Sequence, residues 1–93
     1  MSAISGQKTV TTAGTAEALG SQAVQGPLMI KALESNTGYI YLGNDGTPDV
    51  ASSTGLVLAA GDAVIFDHVG NLASIYLDCS VDGEGVAWLA LNV

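Results

Sequence analysis

The residues best suited to chemistry in this sequence are its one histidine, His68, and its one cysteine, Cys79. With an aspartate to orient the imidazole, they could form a nucleophilic pair. Cys79, however, alternates with Ile75 and Leu77 and is expected on the buried side of a strand, where a thiol is inert. His68 lies at a predicted strand end beside a turn, in a position typical of a solvated histidine. We therefore interpret both as structural residues.

Serine and carboxylate chemistry has no better support. No serine lies in a nucleophile-elbow sequence, and residues 52–55 are typical of a polar loop. Glycosidase chemistry needs two carboxylates in a cleft, which a chain of 93 residues rarely builds. The acidic residues lie mostly in predicted turns, where Asp is common: Glu17, Glu34, Asp45, Asp49, Asp62, Asp67, Asp78, Asp82 and Glu84. The sequence predicts no catalytic residue, and we expect that the protein is not an enzyme.

Oxygen ligands suitable for calcium occur in two places. Residues 44–46 with Asp49 form one group, and Asp82 with Glu84 forms the other. Neither group matches the EF-hand loop, and the glycines, scattered one per turn, form no phosphate-binding motif. We expect no bound metal and no cofactor.

Three tyrosines, Tyr39, Tyr41 and Tyr76, could line one face of a sheet. Such a row would suit a carbohydrate platform, and cross-strand packing explains it equally well. Both interpretations stay open at the level of sequence.

The charge balance excludes several classes of partner. Lys8 and Lys31 are the only basic residues against nine acidic ones, so the net charge is −7. Two lysines cannot form the basic patch that nucleic acid requires, and anionic membranes repel such a chain. Residues 1–6 lack the features of a signal peptide, and no apolar stretch is long enough for a spanning helix. We expect a soluble protein made in a cytoplasm, with neither nucleic-acid nor membrane partners.

The chain length predicts one small domain with a thin margin of stability. We place this domain at residues 8–93, after a short flexible segment at residues 1–7. Because Cys79 is alone, no internal disulfide can stabilise the domain, and oligomerisation is the compensation that remains.

Short apolar runs separated by Gly and other turn residues predict an all-β fold. With about eight short strands and no convincing helix, the spacing favours an antiparallel β-sandwich that is jelly-roll-like. Residues 15–19 could be either a strand or one helical turn. The other predicted strands are residues 8–13, 28–33, 39–43, 56–58, 62–66, 74–79 and 86–93.

The last predicted strand, residues 86–93, is apolar on both faces and so needs a cover on both sides. In so small a domain, a neighbouring subunit is a plausible second cover, although surface alanines are also tolerated. We expect Trp88, Leu89, Leu91 and Val93 to lie in the core or in a subunit interface.

Several segments together resemble small virion proteins of tailed bacteriophages, in particular head decoration (cement) proteins and related head-fibre or tail-adaptor modules. The segments are KTVTTAGT (8–15), IKAL (30–33), NTGYIYLG (36–43), LAAGD (58–62), LASIYLD (72–78) and DGEGV (82–86). The resemblance covers residues 8–93 and implies a β-sandwich, often trimeric, that binds outside a capsid and reinforces it. It implies no catalytic residues.

From this resemblance we expect a capsid decoration protein, located on the virion surface and made in the host bacterial cytoplasm. Its expected partners are the major capsid protein and further copies of itself, as a homotrimer. The alternative is a fibre or tail module that binds host-surface carbohydrate through the tyrosine row.

Overall fold

A computed structural model describes residues 2–44 and 55–92. These residues form ten β-strands and one short 3-10 helix at Leu72–Ser74. The strands are β1 (Ser2–Thr9), β2 (Glu17–Ala18), β3 (Ala23–Val24), β4 (Leu28–Ala32), β5 (Ile40–Gly43), β6 (Leu56–Leu58), β7 (Ala63–Phe66), β8 (Gly70–Asn71), β9 (Tyr76–Cys79) and β10 (Gly85–Asn92). The predicted all-β class is therefore confirmed.

The strands form two four-stranded sheets and one two-stranded ribbon. The first sheet has the order β1-β10-β4-β7, the second has the order β2-β9-β5-β6, and β3 pairs with β8. Every pairing is antiparallel. The long strand β10 is central to the first sheet, since it pairs with β1 on one side and with β4 on the other.

Alternation of side chains explains which face of each strand is buried. In β4, Leu28 and Ile30 are fully buried while Met29 between them is exposed. In β5, Ile40 and Leu42 point inward in the same way. A strand that alternates like this packs one face on a core and leaves the other uncovered.

One hydrophobic core receives side chains from both four-stranded sheets. Its largest fully buried members are Leu28, Ile30, Ile40, Leu72, Leu77, Val10, Val24 and Val86. The predicted jelly-roll-like sandwich stays a prediction, because it specifies connections and a sheet-on-sheet geometry beyond this shared core.

A buried polar contact closes the turn that precedes β5. The side-chain amide of Asn36 donates to the carbonyl of Gly85 at 2.9 Å and accepts from the Gly85 N–H at 3.4 Å. The amide of Asn36 thus pairs with both backbone groups of Gly85, as a neighbouring strand would. The pairing allows a polar side chain to be buried beside the first sheet without an unsatisfied group.

Several local predictions differ from the structure. The strand expected at residues 8–13 ends at Thr9, and residues 10–13 lie outside the strands. Residues 1–7 were expected outside the domain, yet β1 begins at Ser2 and pairs with β10 along all of its length. Its composition, with serine, glycine and alanine, is weak for a strand, and the adjacent apolar β10 supplies the order. Ala23–Val24 and Gly70–Asn71, which lie outside the predicted strands, form β3 and β8, and Glu17–Ala18 is a strand that pairs with β9.

Candidate protein-binding face

The structure gives His68 and Cys79 separate surroundings. Cys79 is 2% exposed, and burial raises the pKa of its thiol, with a smaller contribution from the charge of Asp78. His68 is exposed, and its Nδ1 lies 3.2 Å from the carbonyl oxygen of Gln25. Neither ring nitrogen of His68 contacts the sulfur of Cys79 among the hydrogen bonds of the described residues. Both residues therefore have the structural environment predicted from their positions.

Two aspartates hold the loop that follows β1. The carboxylate of Asp82 accepts the N–H of Ala13 at 2.7 Å, and that of Asp78 accepts the N–H of Gly14 at 3.0 Å. Asp78 is buried, and it also accepts the N–H of Cys79 at 2.7 Å. These acidic side chains are occupied as acceptors for backbone donors.

Glu17 holds the other end of the same loop. Its carboxylate forms an ion pair with Lys8 at 2.9 Å and accepts the N–H of Thr11 at 3.0 Å. The hydrogen bond from Lys8 is the main reason that the pKa of Glu17 is lowered, followed by the bond from Thr11. This contact joins β1 in the first sheet to β2 in the second sheet.

Glu84 holds the turn before β5. Its carboxylate accepts the N–H and the hydroxyl of Thr37 and, at 2.9 Å, the N–H of Gly38. The N–H of Thr37 is the main cause of the lowered pKa of Glu84. Asp82 faces the loop after β1 instead, so the structure directs these two candidate calcium ligands to different segments.

The described residues contain no group of three or more His, Cys, Asp or Glu side chains that could hold a metal ion. The other calcium candidate, residues 44–46 with Asp49, lies outside the described residues except for Asn44, which is exposed.

The tyrosines lie on the second sheet. Tyr41 and Tyr76 share its outer face, because Tyr41 pairs with Asp78 and Tyr76 lies two positions from Asp78 on the same strand. Both are half-buried, whereas Tyr39, just before β5, is 52% exposed. Two of the three tyrosines of the suggested row, Tyr41 and Tyr76, therefore share one side of the sheet, and Tyr39 lies outside the strand.

The first sheet carries an exposed apolar row on its outer face. Leu89 in β10 pairs with Met29 in β4, and Met29 pairs with Ile65 in β7. Their exposed fractions are 50%, 38% and 64%. We call these three side chains the apolar row; on the other side of β10, Leu89 pairs with Ser5 of β1.

The outer face of the first sheet has no carboxylate. By register, it consists of Ala3, Ser5, Gln7, Thr9, Ala87, Leu89, Leu91, Met29, Lys31, Ala63 and Ile65. Lys31 is its only charged member, and it forms an ion pair at 3.0 Å with Glu34, just beyond the end of β4. In a chain with nine acidic residues, this apolar face without a carboxylate is a candidate surface for contact with another protein.

Comparisons with family models, curated proteins and solved structures gave no match. Within the part of the chain that the structure describes, no helix is long and apolar enough to span a membrane.

The four residues predicted for core or interface have different positions. Trp88 points inward and packs against the core, half-buried, while Leu89 is exposed on the outer face. Leu91 is half-buried on that same outer face, and Val93 lies outside the described residues. Sequence reasoning missed Met29 and Ile65; each lies at an outward position of an alternating strand, but only the strand order shows that they adjoin Leu89.

Proposed function

We propose that this chain is a structural virion protein that binds the outside of a phage capsid and stabilises it. The observation that carries the proposal is the apolar row of Leu89, Met29 and Ile65, on a sheet face that has no carboxylate in an otherwise acidic chain. The sequence resemblance supplies the kind of partner.

The physical basis is burial of the apolar row against protein. Full burial of one large aliphatic side chain stabilises a complex by about 1.5–3 kcal/mol, so three half-exposed side chains provide a moderate contact. A moderate contact is sufficient for a decoration protein, because the symmetry of the capsid repeats the same contact many times. Many copies of the decoration protein together then hold neighbouring capsid subunits in place. The acidic remainder of the surface suits a basic patch on the major capsid protein.

Heat treatment of capsids tests the proposal. Phage whose copy of this gene carries a stop codon should lose their DNA at a lower temperature than wild-type phage, and purified protein should restore the difference. Leu89→Ser should bind such capsids about tenfold more weakly, because the outer face loses apolar area. The matched control is Val57→Ser, since Val57 is 44% exposed on the second sheet.

Wild-type protein that neither binds the capsids nor changes their heat resistance would contradict the proposed function. Equal losses from Leu89→Ser and Val57→Ser would show that the binding face is not on the first sheet. Light scattering of the purified chain determines whether it forms the trimer that the resemblance implies.

The second candidate function is binding of host-surface carbohydrate. It is favoured by the exposure of Tyr39 beside Tyr41 and Tyr76 on the second sheet, since sugars stack on exposed aromatic rings. A glycan array probed with wild-type protein and with Tyr39→Ala tests it. Binding that Tyr39→Ala abolishes and Leu89→Ser leaves unchanged would favour this function over capsid binding.

A further inference from the structure

The edge of the first sheet at β1 is the longest sheet edge in the described residues. β1 has eight residues, whereas the other edges of the two four-stranded sheets are β7 with four, β6 with three and β2 with two. Sheet edges usually avoid pairing by being short or by carrying charges or proline. β7 is flanked by Asp62 and Asp67, but residues 2–7 of β1 contain neither a charged residue nor a proline.

Hydrogen bonds at the end of β1 show which of its backbone groups point to the open edge. Val10, the next residue, donates its N–H to the carbonyl of Glu84 at 2.9 Å, towards β10. Gly85, which is opposite Thr9, instead accepts from Leu33 on the side of β4, at 3.1 Å. Directions alternate along an antiparallel pair. The outward N–H and C=O groups of β1 are therefore those of Ala3, Ser5, Gln7 and Thr9.

We propose that β1 pairs antiparallel with β1 of a second copy of the chain, about a twofold axis that passes beside Ser5. In this register, Ser5 faces its own counterpart and exchanges both outward hydrogen bonds with it. The row Ser5, Leu89, Met29 and Ile65 then continues across the axis into the same row of the second copy. Two outer faces become one continuous surface.

A second copy is the occupant that we propose because the edge is complementary to itself, each Ser5 offering one N–H and one C=O to the other, and the charge distribution permits this approach. Two chains of net charge −7 repel each other over most of their surfaces, but neither β1 nor the adjoining outer face carries a carboxylate. In the proposed register, Lys8 is opposite Ser2, so no charges of the same sign oppose each other. The ammonium of Lys8 is already paired with Glu17 of its own chain.

This pairing goes beyond the proposed function, because it concerns the purified chain whether or not the joined face binds a capsid. The test is sedimentation velocity of the purified protein over an about hundredfold range of concentration. We expect the wild-type mass to rise from one copy to two, rather than to the three copies that the sequence resemblance implies. Ser5→Pro removes the N–H at the axis and leaves the hydrogen bonds to β10 in place, and sheet edges tolerate proline. We expect it to associate at least about tenfold more weakly.

The matched control is Ser5→Val, which keeps the N–H and favours a strand, so it should associate as wild type does. A second readout is hydrogen exchange by NMR: the Ser5 amide of the wild type should exchange more slowly as concentration rises. If Ser5→Pro fails to fold, this measurement on the wild type tests the pairing without the variant.

Three sedimentation results would overturn the pairing: a mass that does not depend on concentration, a trimer, or equal association of wild type and Ser5→Pro. A Ser5 amide whose hydrogen exchange does not slow as concentration rises would overturn it as well. If Ser5→Pro is monomeric and still protects capsids, capsid binding does not depend on the pairing. That result would support the proposed function independently of the pairing at β1.

Discussion

At the scale of single residues, the polar chemistry of this chain serves its own backbone. The carboxylates of Glu17, Asp78, Asp82 and Glu84 each accept a backbone N–H from a neighbouring loop. Loops of a small domain have few apolar contacts, so hydrogen bonds from charged acceptors are an effective way to fix them. These four acidic residues thus have structural partners.

Glu84 gives a prediction about pH. Its pKa is lowered in the folded chain from the ordinary value of 4.5, so its contribution to stability is complete above that pH and is lost as pH falls through the lower, folded value. Glu84→Gln should therefore lower the melting temperature at pH 7, and the difference from wild type should shrink at pH 3.

Thermal unfolding followed by circular dichroism at the two pH values measures this difference. Glu34→Gln is the control, because the carboxylate of Glu34 is exposed in a surface pair with Lys31 and should matter little at either pH. A deficit of Glu84→Gln that stays the same from pH 7 to pH 3 would contradict the role given to the charge.

At the scale of elements, β10 is central to the first sheet, and its first residue, Gly85, packs closely against the backbone of β1. A Cβ added to Gly85 would overlap the carbonyl oxygen of Lys8 and the Cα of Thr9 in β1. Asn36 holds the same residue from the opposite side. Glycine at this position therefore permits β10 to lie between β1 and the turn that precedes β5.

Gly85→Ala should destabilise the fold by about 1–3 kcal/mol, since backbone must move to admit the methyl group. Gly83→Ala is the comparison: an added Cβ would have open space there, and the cost is the positive φ of 81°, about 1–2 kcal/mol. Denaturant unfolding gives both free energies. NMR should show shifts along β1 for Gly85→Ala and not for Gly83→Ala, and the reverse pattern would refute the close contact.

At the scale of the whole molecule, net charge and the apolar row have opposite effects on association between copies of the chain. Copies with a net charge of −7 repel each other, while the uncharged outer face of the first sheet favours contact. Screening shortens the reach of this repulsion from about 30 Å at 0.01 M salt to about 3 Å at 1 M salt. Association between copies should therefore strengthen as salt is added.

Light scattering at fixed protein concentration over this range of salt measures the effect. We expect the apparent mass of the wild type to increase, and that of Ser5→Pro to increase far less. If salt weakens the association instead, ion pairs rather than apolar contact and backbone pairing hold the copies together.

Much of this fold follows from local sequence. Alternation in β4, β5 and β9 predicts those strands, because side chains of a strand point alternately to opposite faces. The apolar run of β10, which follows the connection at Gly83, predicts that strand. The buried position of Cys79 follows from the same pattern. Residues 2–7 of β1 and the two residues of β3 were not predicted as strands, since Ser, Gly and Ala have little preference for strands and these segments depend on their partners.

By itself, the sequence determined the all-β class, the acidic charge and the inward side of β9, since each depends on composition or on neighbours along the chain. Only the tertiary structure decided that Leu89, Met29 and Ile65 are adjacent and that β1 is an edge. The reason is physical: cross-strand neighbours depend on which distant segments pair and in which register, and a local pattern is compatible with many such pairings.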